Sequence, residues 1–419
     1  MATNQLDLRP AWAPDLSGPP LKKEAKIKSL PLTGIRFFLA LLVVLFHQAG
    51  PGTYLNAIRA RIPTILDNII RTGYLAVGVF FVLSGFVLAY NYPLNRSWSK
   101  PEWIRFGIAR FSRIYPVYCV GLILISPFVG LPLLKHLATV NVGKEIGIIL
   151  LNAGLLQAWI PATALYWNGP GWSLSNEAFF YLCFPLAGFA LWRLADMRHL
   201  MGATTLLWVL AVAPAIVAVA LPLAGFGDVP ANGGHATADP FWTTLLEFNP
   251  LLRFPEFCIG IATARAYRTL AKRAGGWWVG RGHYLYLPAI LVEVIVISFA
   301  GTIPFPLIHN GLLTPLHALA ILGMALEGGW LARILSGEPF QFLGGASYSM
   351  YILAHPIACW TTVFFTKFSP RAANGPLELL VNISAVIGLA SLLFKTIEEP
   401  ANRLLKKGLA VRLIPAGNR

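Results

Sequence analysis

Thr33-Gly-Ile-Arg36-Phe-Phe-Leu-Ala-Leu-Leu-Val-Val-Leu-Phe-His47 sets an arginine and a histidine near the two ends of an otherwise apolar run. On an α-helix their separation amounts to about three turns plus roughly 20°, so both side chains share one face, about 16 Å apart along the axis. A charged group in hydrocarbon costs a few kcal/mol, and such groups normally face a bundle interior or a water-filled cavity. Snorkelling of Arg36 to one surface and His47 to the other is the plainer alternative. On either reading the run is a membrane helix carrying a polar stripe.

The rest of the chain fits such an environment. Of 419 residues, 56% are hydrophobic and 12% charged, whereas a soluble domain has about a quarter of its residues charged. Apolar stretches fall roughly at 33–49, 72–91, 113–134, 146–160, 175–195, 203–224, 248–268, 284–303, 311–332, 346–366 and 376–397. At about 15 residues, 146–160 is short for a span of about 20. If it does not cross, the clusters Arg96/Lys100/Arg105/Arg110, Arg193/Arg198, Arg268/Lys272/Arg273/Arg281 and Arg333 fall on the side of the Lys22/Lys23/Lys26/Lys28 tail, as the positive-inside rule expects. Arg59, Arg61 and Arg71 are the exception. The expected fold is therefore all-α, a polytopic transmembrane bundle of about ten spans, with 146–160 as a re-entrant or interfacial helix. Residues 1–30 and 406–419 are expected to be cytoplasmic tails, the first disordered and the second basic, flanking a membrane domain at 31–405.

The net charge of +15 follows from basic loops between apolar stretches, so nucleic acid is not expected as a partner. Cys119, Cys183, Cys258 and Cys359 lie scattered in apolar stretches without metal-ligand spacing, and neither a metal nor a disulfide is expected.

With this topology, Arg36 shares a depth with Arg110 and Arg113 of Arg105-Phe-Gly-Ile-Ala-Arg110-Phe-Ser-Arg113-Ile-Tyr-Pro116. Three guanidiniums at one level make a plausible polyphosphate clamp, with ordinary anchoring at the membrane surface as the alternative. At the other face, Glu177 of Trp172-Ser-Leu-Ser-Asn-Glu177 is expected level with His47, either capping its own helix or orienting the imidazole. Ser84, in Phe80-Phe-Val-Leu-Ser84-Gly85-Phe86, suits close helix packing. Tyr348, Tyr351 and His355 share one helical face, with Pro356 freeing a carbonyl one turn earlier.

Taken together, the Arg36 to His47 spacing, Phe81-Val-Leu-Ser84-Gly85-Phe86, Arg110-Phe-Ser-Arg113, Trp172-Ser-Leu-Ser-x-Glu177, Leu252-Arg253-Phe-Pro255-Glu256-Phe-x-x-Gly260, Ser347-Tyr348-Ser349-x-Tyr351-x-x-x-His355-Pro356 and Glu399-Pro400 resemble, in order, the motifs of membrane acyltransferase family 3 over about residues 30 to 405. Glu177 is followed by Ala178, where many relatives have a second glutamate. The resemblance implies a ten-span enzyme of the bacterial cytoplasmic membrane, both termini cytoplasmic, with no permanently bound cofactor. It would move an acyl group, acetyl foremost, from cytoplasmic acyl-CoA to a hydroxyl of an exported or surface carbohydrate. It would lack the extracytoplasmic esterase-like domain fused to some relatives. In these terms Arg36, Arg110 and Arg113 hold the donor phosphates, and Ser84, Trp172, Tyr348, Tyr351 and His355 contact substrate. His47 serves as general base or transient acyl carrier, with Glu177 as its partner. A transporter or flippase would also keep charges in the membrane, but no internal duplication with paired broken helices is visible.

Overall fold

The computed structural model describes residues 30–135, 141–194, 196–221, 230–232, 240–272 and 276–401; both tails and the acidic positions Asp228 and Asp239 lie outside the described residues. Helix α1 (Leu30–His47) is followed by α2 (Tyr54–Ala57), α3 (Thr64–Arg71), α4 (Leu75–Asn91), α5 (Lys100–Lys135) and α6 (Val142–Ala153). Next come α7 (Trp172–Trp192), α8 (Met197–Ala220), α9 (Pro240–Phe248), α10 (Pro250–Lys272) and α11 (His283–Ser298). The last third holds α12 (Phe305–His309), α13 (Thr314–Ala325), α14 (Gly329–Leu335), α15 (Glu338–Gly345), α16 (Ser347–Phe368) and α17 (Pro376–Leu393). Several starts are set by side chains that accept a first-turn N–H: Thr53 for α2, Asn141 for α6 and Asp196 for α8.

Five of the described helical stretches are long and apolar enough to cross a membrane, and a sixth is the pair α3 and α4, bent by 54°. They are Lys100–Gly130, Gly169–Trp192, Met197–Ala220, Phe305–Ala325 and Pro376–Ala401. Pro31–His47 and His283–Ser298 are apolar but shorter. With apolar side chains such as Ile123, Leu182, Leu186 and Leu291 turned outward, the chain is an integral membrane protein.

Helices α1, α5 and α16 run in one direction. Tyr348 on α16 meets Ile114 on α5, and further along Trp360 donates to the Leu124 carbonyl at 2.9 Å. On α1, Arg36 shares a cavity with Tyr348, while His47 stands beside His355. Helix α4 returns antiparallel, with Tyr74 against Phe46 at one end and Leu88 in the cavity of Arg36 at the other. Helices α4 and α10 cross through two glycines: a Cβ on Gly85 would lie 2.1 Å from the Phe257 carbonyl oxygen, and one on Gly260 would lie 2.0 Å from that of Val82. Thus Gly85, rather than Ser84, is the close-packing residue of that segment.

The sequence places 146–160 as a short element near one face, and α6 with its 12 residues is indeed too short to cross. The loop between α6 and α7 folds inward. Asn168 donates to the Ile352 carbonyl at 3.1 Å, Tyr351 to that of Pro170 at 3.1 Å, and Gln157 to that of Gly171 at 2.9 Å. Gln157 and Asn168 are only 1% and 2% exposed; their amide N–H groups are spent on carbonyls of the bundle, while the side-chain oxygen of each is buried without a hydrogen-bond partner. Helix α7 consequently starts well inside the protein and ends where Gly188 packs on Leu94.

Candidate active site

Cavities lie at both ends of the polar stripe. The first, of about 80 Å3, is lined by Arg36, Phe80, Ser84, Arg110, Arg113, Glu177, Tyr181 and Tyr348, among others. A smaller one of about 50 Å3 adjoins it through Arg36, Phe80, Glu177 and Tyr348 and adds Ser173, Ser347 and Tyr351. All three arginines expected at one level are brought together. Their helices explain it: Arg110 and Arg113 lie one turn apart on α5, and α1 and α5 run the same way. The Arg110 guanidinium lies 5.9 Å over both the Tyr92 and the Phe106 rings, and its Nε is buried without a hydrogen-bond partner. Tyr348 is fixed by donating to the Ile114 carbonyl.

Glu177 belongs to this cavity, which corrects the expectation that it accompanies His47. Its carboxylate accepts from the Tyr181 hydroxyl at 2.6 Å, one turn along α7, and faces the arginines across the cavity. The physical reason is the inward loop. Because Trp172 starts its helix within the bundle, the turn and a half to Glu177 carries the carboxylate to the arginine end. The expectation assumed a helix starting at the membrane face.

The second cavity, of about 320 Å3, is lined by His47, Gln48, Thr53, Tyr54, Cys359, Thr362, Asn374 and Glu378, with Phe128, Val363 and Leu379 as apolar walls. His47 and His355 stack with ring centroids 6.3 Å apart, and the His355 Nδ1 is buried without a partner. Along α16, Tyr348 and Tyr351 line the cavities at the arginine end and His355 stands beside His47, which lines the second cavity; Phe80 meets the Tyr351 ring at 6.4 Å. Trp172 lines neither cavity. Its ring packs on Phe81 and Phe248.

Several features of the site escaped the sequence reading. Glu378 is 6% exposed and accepts from the Thr362 hydroxyl at 2.8 Å and the Asn374 N–H at 2.7 Å, placing a carboxylate in the cavity of His47. Its lone position at the start of the last apolar stretch was the available signal. Glu398, one residue before the Glu399-Pro400 motif, is the buried acid at the arginine end; a π-turn at Phe394–Glu398 rotates it inward, where Ser349 donates to it at 3.2 Å. Behind Phe81 lies Arg253, 2% exposed, paired with Glu256 at 3.2 Å and donating to the His309 carbonyl at 2.6 Å and to Asn310 at 3.0 Å. Its guanidinium lies 5.5 Å from the Phe81 ring. The Arg253-x-x-Glu256 spacing was visible, but its partners on α12 are not readable from sequence.

A family model described as an acyltransferase domain matches residues 31–395. The chain is 28% identical over 414 residues to Acyltransferase MdmB of Streptomyces mycarofaciens, covering 93% of this chain and 96% of that one. It is 23% identical over 356 residues to the Peptidoglycan O-acetyltransferase OatA of Listeria monocytogenes, covering 80% of this chain and 52% of that one. No solved structure matches.

Proposed function

The chain belongs to the acyltransferase family that this domain defines and is an O-acyltransferase, and from that premise we propose that it acylates a hydroxyl of an exported or surface carbohydrate with acyl-CoA as donor. The observation that carries this reading is the line of polar side chains from Arg36, Arg110 and Arg113 through Tyr348 and Tyr351 to His355 and His47, joining two cavities about three helical turns apart. The donor's phosphates bind at the arginine end, and its thioester arm extends along α16 toward His47. Glu177 and Glu398 limit the net positive charge gathered at this end. Acceptance of a carbohydrate is supported by the name of the Listeria relative and by the Gln48, Thr53, Tyr54 and Asn374 side chains around His47.

In the proposed step, His47 takes the proton of the acceptor hydroxyl as its oxygen attacks the thioester carbonyl. The C–O bond forms, the C–S bond breaks, and the departing CoA thiolate recovers the proton from the imidazolium. His355 and Glu378 position the imidazole and the acceptor. The proposal includes about ten spans, a cytoplasmic arginine end with both termini on that side, and a bacterial inner-membrane location. Purified protein in detergent tests it through release of CoA thiol from acetyl-CoA with and without glycan acceptors. Acceptor-dependent release is expected; absence of acetyl-CoA binding and turnover with every acceptor overturns it.

A further inference from the structure

At the arginine end, outside the cavity of Arg36, lies a larger groove of about 620 Å3 that takes no part in the acyl transfer at His47. Its walls include Asn91, Tyr92, Asn95, Trp192, Arg265 and Arg268. Arg265 and Arg268 stand one turn apart on α10, and their guanidiniums lie 5.4 Å and 4.9 Å from the Trp192 ring. Arg268 also donates to the Tyr90 carbonyl at 2.9 Å. Neither is in an ion pair among the described residues. Asp196 also borders the groove, but its carboxylate accepts from the His199 N–H at 2.9 Å and meets the His199 ring at 2.9 Å. The groove is therefore a cationic pocket with aromatic walls and two amide side chains, a combination that suits a phosphorylated heteroaromatic base.

Its position indicates which one. Tyr92 is shared: one side lines the groove, and the ring carries the Arg110 guanidinium at 5.9 Å, which in turn lines the cavity of Arg36. A ligand with its base and one phosphate in the groove passes Tyr92 to reach the three arginines. We propose that this groove binds the 3′-phosphoadenosine end of the acyl-CoA donor, with Arg265 and Arg268 on the 3′-phosphate, while Arg36, Arg110 and Arg113 take the diphosphate. The proposal rests on the reading of acyl-CoA as donor. An anionic lipid headgroup offers the same phosphate chemistry, but it has no base for Asn91 and Asn95 to meet.

The test uses the full chain in nanodiscs of phosphatidylcholine alone and of phosphatidylcholine with phosphatidylglycerol, the probe adenosine 3′,5′-bisphosphate, and the double variant Arg265→Gln with Arg268→Gln. The wild type binds the probe in both discs by calorimetry. The double variant loses that binding, and its KM for acetyl-CoA rises about 10- to 100-fold, the size of one or two lost charge-assisted contacts. Its kcat at saturation stays near wild type, which also reports that it folds. A variant that binds the probe normally, or loses only its response to phosphatidylglycerol, overturns the groove assignment. Wild-type turnover of acetyl-CoA without probe binding overturns the groove alone; absence of both turnover and probe binding overturns the donor reading with it.

Discussion

The imidazoles of His47 on α1 and His355 on α16 lie face to face, 6.3 Å between centroids and 29° between planes. Glu177, the carboxylate expected beside His47, instead faces Arg36 at the other end of the stripe and is held by Tyr181. His47 therefore has a second histidine beside it and, lining the same cavity, Glu378.

His47→Ala lowers transfer by about 10²- to 10⁴-fold, the contribution of a positioned general base, while leaving expression and insertion near wild type. His355→Ala lowers kcat by less, because it acts through His47. Thiol release from acetyl-CoA at saturating acceptor measures both, and wild-type turnover by His47→Ala refutes the base assignment.

Arg36→Ala and Arg113→Ala each raise KM for acetyl-CoA by about 10- to 100-fold with kcat little changed, since a phosphate contact is common to ground and transition states. Lysine restores only part of the affinity because it lacks the bidentate fork. A fall in kcat at unchanged KM would place the arginines elsewhere in the cycle.

Glu177→Gln separates the two placements of this carboxylate. Beside the arginines, its neutralisation alters donor KM several-fold and leaves the pH dependence of kcat as in wild type. Were it the partner of His47, the kcat profile would shift along the pH axis with KM unmoved.

Gly85→Ala destabilises the protein by about 1–3 kcal/mol, because the new methyl must displace the α10 backbone at Phe257 rather than a flexible side chain. Ser84→Ala, on the cavity side of the same turn, leaves thermal stability near wild type. Thermal unfolding in detergent compares them, and equal midpoints for the two variants would contradict the crossing.

Single cysteines in a cysteine-free background report topology. Asp196→Cys and Arg371→Cys, in exposed loops at opposite ends of the bundle, react with impermeant maleimide from opposite sides, the first from the cytoplasm. Asn168→Cys stays unreactive from both sides until the protein is denatured, because this position is 2% exposed and packed against Ile352. Labelling of Asn168→Cys in the folded protein from outside would restore the surface position that the sequence alone implied.

Composition and period determined much of this protein without tertiary information. An apolar chain with few charges must form helices that satisfy their own backbone, and the angular arithmetic of a helix puts Arg36 with His47, and Tyr348 with Tyr351 and His355, on common faces whatever they pack against. The meeting of Arg36 with Arg110 and Arg113 in one cavity was an expectation of the sequence reading. What the tertiary structure alone decided is where each helix begins in depth and which distant side chains meet. Sequence marks the start of α7 at Trp172, but only hydrogen bonds from Asn168, Tyr351 and Gln157 draw that start inward and carry Glu177 to the arginines. The partners of Arg253 on α12, and the turn that buries Glu398 at Ser349, are likewise set by contacts between residues far apart in the chain. Local periodicity holds no information about them, because their energy arises only once the bundle closes.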